Sequence, residues 1–173
     1  VLEFQRRSDE TTDLVLDWLT EDERPFFLWL HYWDPHDAVK LPPAQDLPAN
    51  LPRNAQGQLT ASRELYAAEV RYVDSQFGRL IQELERRGEM DRTLIVVVAD
   101  HGEGLGDHGW AYHRLVYQEQ IRVPLIVSVP QLKSVPEVDA VVRSRDIYPT
   151  VLDYLELRAP RPVSGRSLRA LLE

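Results

Sequence analysis

The chain has no cysteine. That absence excludes a disulfide, a thiolate-bound metal and a thiol nucleophile among these residues. It also has no run of the roughly 18 apolar residues that a membrane-spanning helix requires. Its opening residues, Val-Leu-Glu-Phe-Gln-Arg-Arg, lack the apolar stretch of a signal peptide. The first residue is Val1 and not methionine, so the native start is expected to lie further upstream. Positive charge is in deficit too: 20 Lys and Arg stand against 28 Asp and Glu, a net charge of −8. Phosphate backbones select basic faces, so this balance argues against a nucleic-acid partner. It leaves a small anionic substrate open, because a pocket responds to local charge.

What is present suffices for one domain: 173 residues with a normal share of apolar side chains. Residues 11–19 carry Leu14, Val15, Trp18 and Leu19 at helical spacing, with Thr11 or Thr12 as a cap. Phe26 to Tyr32 (FFLWLHY) is a continuous apolar run, the pattern of a strand covered on both faces. Residues 33–58 form a long loop rich in Pro, Asn, Asp and Gln, and long loops in compact domains are often functional. The longest helical pattern runs from Leu59 to Arg87, with Leu65, Val70, Val73, Phe77, Leu80, Ile81 and Leu84 in a stripe and Gly88 as a stop. Thr93–Ala99 and Val123–Val129 read as buried strands, and 138–143 as a short one. Residues 146–155 and 167–172 read as helices. Alternating strands and helices predict an α/β fold with a largely parallel sheet, whose ligands bind beyond the carboxyl ends of the strands.

Two polar clusters sit at such ends: His31 to Asp37, and Asp100 to His113. In the second, VADHGEGLGDHG, a β-branched strand delivers a carboxylate and an imidazole side by side into a glycine-rich loop. Asp and neutral His suit a divalent cation. Neighbouring side chains leaving a strand point to opposite faces, so both reach one ion only if the strand ends first. A solvated turn after the strand is the alternative reading. Glu103 is either a support for such a site or solvated, and Asp107 and His108 read as loop-stabilising. Within the apolar run, His31 reads as a packed residue, as do Trp29, Trp33, Tyr66 and Tyr72.

ADHGEGLGDHG, followed by YHRLVYQEQIRVPLIV, closely resembles the signature in the C-terminal half of the sulfatase fold, in the alkaline phosphatase superfamily. FFLWLHYWDPHD resembles that family's strand and Asp-Pro-His element. YAAEVRYVDSQFGRLIQELERRGEMDRTLIVVVADHGE resembles the helix and strand leading to its metal site, and SRDIYPTVLDYLEL and GRSLRALL its closing helix and tail. The resemblance implies an alkaline phosphatase-like sandwich, a largely parallel sheet between helices. Residues 1–173 would form a single partial domain, the C-terminal portion, with 33–58 as a substrate-side loop. Asp100 and His101 match the metal-ligand pair. His36 matches a histidine facing the sulfate, able to donate to a sulfate oxygen or to the leaving-group oxygen. His113 stands where many members carry a sulfate-binding lysine.

The resemblance further implies a divalent metal, calcium first and manganese or magnesium next, and a formylglycine nucleophile made within a Cys/Ser-x-Pro/Ala-x-Arg element. The Ser-Val-Pro runs at Ser128 and Ser134 lack its arginine, having Leu132 and Val138 instead, so the nucleophile is expected in a segment N-terminal to this chain. The implied activity of the whole protein is hydrolysis of small-molecule or saccharide sulfate esters. The alternatives are a phosphodiesterase or phosphonate monoester hydrolase on the same scaffold, or a non-catalytic piece that alone turns over no sulfate ester.

Overall fold

A computed structural model describes residues 5–21, 24–36, 40–130, 132 and 137–173. Asp37 and Ser134, both singled out by the sequence, lie outside them. The chain divides into two compact units, Val1–Gly88 and Glu89–Glu173.

The first unit is built on two packed helices, α1 (Ser8–Glu21) and α2 (Arg63–Arg86). α1 starts earlier than the two threonines suggest. Ser8 is buried there, and the Asp34 carboxylate accepts both its backbone N–H at 3.0 Å and its hydroxyl at 2.9 Å. A carboxylate 26 positions along the chain thus satisfies a first-turn donor that no local threonine reaches. Val15 and Leu19 bury the inner face of α1. α2 begins where Ser62 Oγ accepts the Leu65 N–H at 3.1 Å, and stops at Gly88, whose φ of 68° is open to glycine at little cost. Its buried face is Leu65, Ala68, Tyr72, Leu80 and Leu84, while Val70, assigned to the stripe, is exposed. The Arg87 guanidinium closes the pair by donating to the Leu19 carbonyl.

Phe26–Tyr32 is not a doubly covered strand. The segment is extended and alternates, with Phe27 and Trp29 each 80% exposed and His31 exposed beside them. The other side faces α1: Phe26 meets Trp18 edge-on at 5.5 Å and the Tyr32 hydroxyl is 2.9 Å from Thr12 Oγ1. Having no ladder partner among the described residues of its unit, the segment is covered on one side only, and Trp29 and His31 are not the packed residues expected. Within the long loop, the Asn54 side chain accepts the N–H groups of Gln56 and Gln58, each at 3.0 Å, and ties a turn closed by the Arg53–Leu59 bridge.

The second unit carries strands β1 (Ile95–Val98) and β2 (Leu125–Ser128), helix α3 (Gln118–Ile121), helix α4 (Ile147–Tyr154) and a last turn, α5 (Arg169–Leu172). The chain is α/β, as its alternation predicts. The one described strand pair is antiparallel, Ile95 opposite Ser128 and Val98 opposite Leu125, where the same alternation predicts parallel neighbours. The connection through residues 99–124 is mostly loop and the four-residue α3, so nothing forces the covering crossover that a parallel pair needs. Residues 138–143 form no strand. The end of the unit is ordered by Asp146, whose carboxylate accepts the Arg166 and Arg143 N–H groups at 2.9 Å each. These bonds, that from Arg166 first, hold its carboxyl below the usual range. Thr150, buried one turn on, accepts the Leu168 N–H at 2.8 Å.

Candidate active site

β1 runs out at Val98, and the backbone turns at once, so Asp100 and His101 are no longer bound by strand alternation. Gly102 donates its N–H to the Gln120 carbonyl at 2.8 Å. A Cβ there would lie 2.0 Å from the Glu119 carbonyl oxygen, so only glycine fits against α3. Gly104 is held the same way from the other arm of the loop: a Cβ would meet the Trp110 oxygen at 2.3 Å and the Tyr112 oxygen at 2.8 Å. The loop between these arms is a tight hairpin in which Gly106 N–H donates to Trp110 and Asp107 N–H to Gly104. Glycines 102 and 104 thus place Asp100, His101, Glu103 and the arm leading to His113 in one small volume.

Asp100 and His101, the pair expected to hold a metal, have a defined posture. His101 Nδ1 is 2.9 Å from the Gly102 carbonyl. A carbonyl only accepts, so Nδ1 is the protonated nitrogen of the neutral ring and Nε2 carries the lone pair. Nε2 lies 3.8 Å from Asp100 Oδ2, while Oδ1 accepts the His101 N–H at 3.0 Å. The Asp100 carboxylate is 72% exposed. One carboxylate oxygen and one imidazole lone pair at this separation can share a cation, given metal–ligand distances of about 2.0–2.5 Å. These donors therefore fit a divalent ion, a hard one through the carboxylate.

His113 is brought into this group. Its ring stacks on that of His101 with centroids 3.9 Å apart, and its Nδ1 is hydrogen-bonded to Glu103 Oε1. The remaining histidine of the signature, His108, is a loop clamp: its φ of 55° is left-handed, its ring lies flat on Tyr117 at 3.9 Å, and its Nδ1 is 2.9 Å from Glu119 Oε1. That matches the loop-stabilising reading of the sequence.

His36 belongs to the first unit. It ends a 3₁₀ turn, Asp34–His36, and its ring sits 4.4 Å from that of Trp33. Asp34 fixes this turn to the start of α1, and burial pushes its carboxyl up from the ordinary value. Its second oxygen, Oδ2, has no partner among the described residues.

Sequence reasoning missed Gln120. Its buried side-chain oxygen accepts the N–H groups of Arg114 and Leu115 at 3.0 and 2.7 Å, and so bends the chain just after His113. Neither periodicity nor a motif marks it, since it closes the polar run Gln118-Glu119-Gln120.

The fold is alkaline phosphatase-like, the fold of the solved structures it matches. The chain belongs to the sulfatase family, whose profile matches residues 4–157. It is 40% identical over 109 residues to an N-acetylglucosamine-6-O-sulfatase of Bacteroides thetaiotaomicron, a match covering 62% of this chain and 20% of that protein. Among solved structures it is similar to a phosphonate monoester hydrolase from Silicibacter pomeroyi, with 30% identity, a TM-score of 0.71, and 96% of this chain and 42% of that one covered. It is also similar to a protein solved in complex with its substrate D-glucosamine-2-N,6-O-disulfate, with 37% identity, a TM-score of 0.53, and 64% and 22% covered. The chain thus spans about a fifth of the first relative's length. Sulfatases are hydrolases that generally use a divalent metal and a formylglycine. No helix among the described residues is long and apolar enough to cross a membrane.

Proposed function

We propose that the protein containing this chain is a metal-dependent sulfuric ester hydrolase acting on sulfated saccharides or related small sulfate esters. The observation that carries this reading is the Asp100–His101 pair, held by glycine packing at the end of β1 in a chain matched to the sulfatase family over 4–157. Asp100 Oδ2 and His101 Nε2 would hold the ion, calcium on the strength of the hard carboxylate donor. When bound, such an ion neutralises charge on sulfate oxygens. His113 directs Nε2 away from Glu103 and contributes a polar contact to a sulfate oxygen or the departing ester oxygen. His36 contributes a second contact of the same kind, its turn fixed by Asp34. Residues 33–58 serve as the substrate-side loop. They contain most of the lining of a shallow hollow of about 510 Å³, including Leu41, Pro42, Leu47 and Arg53, suited to the apolar face and anionic groups of a sugar.

A second reading, hydrolysis of phosphodiesters or phosphonate monoesters, draws on the likeness to the Silicibacter enzyme, since both ester types present a tetrahedral oxyanion. The test is the complete protein on matched aryl sulfate and aryl phosphodiester substrates. A sulfate preference that Asp100→Ala abolishes is expected; a strong phosphodiester preference overturns the sulfatase reading.

A further inference from the structure

We propose that the face around Asp146, in the second unit, is a docking surface for a sulfated polysaccharide, made of residues that the reaction itself does not use. The choice of occupant rests on the reading of the protein as a hydrolase of saccharide sulfates. The surface itself rests on charge and packing.

The chain carries a net charge of −8, yet residues 143–169 hold six arginines against three carboxylate side chains. Two of those carboxylates are committed within the fold. Asp146 is buried and accepts the Arg143 and Arg166 N–H groups at 2.9 Å each. Asp153 accepts the Ser167 hydroxyl at 2.5 Å. Of the cations, Arg169 is taken up by Glu173 and by the ring of Tyr154. Arg145 and Arg166 are different: both are exposed, and their guanidinium groups have no hydrogen bond or ion pair among the described residues.

Backbone packing brings these arginines together. Arg145 lies in the 3₁₀ turn Ser144–Asp146 that leads into α4. A Cβ on Gly165 would lie 2.1 Å from the Arg145 carbonyl oxygen and 3.1 Å from Pro149 Cγ, so the chain entering Arg166 is pressed onto the start of α4. Arg143 reaches the same hub from the other side, with Nη2 3.6 Å from Asp146 Oδ1. Three arginines are thus fixed about one buried carboxylate, whose single charge opposes their three. Tyr148, three positions past Arg145 on the same side of the helical run, is 48% exposed.

This combination has a chemistry. A guanidinium fork matches pairs of oxygens on a tetrahedral oxyanion, and an amphipathic aromatic ring suits the apolar face of a sugar. A polymer held here would present its next ester at a raised local concentration. The gain falls on KM for polymeric substrate, while kcat and the hydrolysis of small esters are untouched.

The test compares the complete wild-type protein with the double variant Arg145→Gln/Arg166→Gln, by calorimetric titration with dextran sulfate, dextran and polyglutamate. Kinetics on a small aryl sulfate run alongside. Wild type should bind dextran sulfate and neither of the others. The double variant should bind dextran sulfate about tenfold more weakly or worse, with aryl sulfate kcat/KM unchanged. Wild type that fails to bind dextran sulfate overturns the proposal, as does a double variant that binds it equally well. Polyglutamate bound as tightly as dextran sulfate overturns it too, since charge alone would then suffice. The titration needs no turnover: a protein inactive on sulfate esters that still binds dextran sulfate through these arginines would sink the functional reading and leave the docking surface standing.

Discussion

Gly104→Ala places one methyl group where the chain has no room. Its Cβ would lie 2.3 Å from the Trp110 carbonyl oxygen, and real contacts of this kind do not fall below 3.0 Å, so the two arms must separate by about 0.7 Å or more. Two effects compete. Replacing a glycine whose conformation alanine can adopt gains about 0.4–1 kcal/mol from the unfolded chain. Overpacking costs about 1–3 kcal/mol. Both opposing atoms are backbone oxygens that cannot swing aside, so overpacking wins, and the second unit loses stability. The larger effect is on chemistry. A shift approaching 1 Å weakens the Glu103–His113 hydrogen bond sharply and moves His113 against the substrate, a displacement that costs about 100-fold in rate. The assay is kcat/KM of the complete protein on an aryl sulfate, with thermal melts to confirm folding. Wild-type kcat/KM in a folded Gly104→Ala protein would refute both the packing argument and the place of His113 in the site.

Gly78, in the interior of α2 with nothing within 4 Å of an added Cβ, behaves in the opposite way: Gly78→Ala should raise stability by about 0.5–1 kcal/mol in urea unfolding. Ser62→Ala removes the acceptor for the Leu65 N–H and should cost about 1 kcal/mol by the same measurement. Burial raises the native pKa of Asp34 above its ordinary 3.8, so the protein binds more protons than the unfolded chain above that pH. The stability linked to Asp34 is therefore complete below about pH 3.8 and is lost as pH rises through its native value; wild type should lose ground to Asp34→Asn over that interval in unfolding titrations. Asp100→Ala removes the only carboxylate of the pair. Outer partners alone are worth about 10–100-fold in metal affinity, so calorimetric titration of the complete protein with calcium should show at least that loss.

The site was more legible in the sequence than the sheet. Asp100 and His101 stood out because a β-branched run ending in two metal-competent side chains and a glycine is a local pattern, and the structure keeps them together. His113 was legible only through resemblance, since its neighbour Glu103 becomes its partner by backbone contact at Gly104, which no spacing announces. The helices followed their apolar periodicity, α2 within a few residues. The start of α1 did not, because its first turn is satisfied by Asp34, 26 positions from Ser8. The run Phe26–Tyr32 misled for a related reason: composition records that side chains are apolar, whereas coverage depends on what packs against each face. Strand direction was equally hidden, because hydrophobic runs read the same for parallel and antiparallel neighbours.

The half-covered segment from Phe26 to Tyr32 also bears on self-association. An extended stretch with an open apolar row is a template onto which a second chain can add, copy upon copy. Here the sequence brackets it with Pro25 before and Pro35 after. Each removes an amide donor, so a ladder seeded on the row cannot propagate past either end. The charge of Arg24 stands at the first border. These residues act as gatekeepers, and replacing Pro25 or Arg24 by an apolar residue should be felt first as precipitation during expression, with folded-state stability little changed.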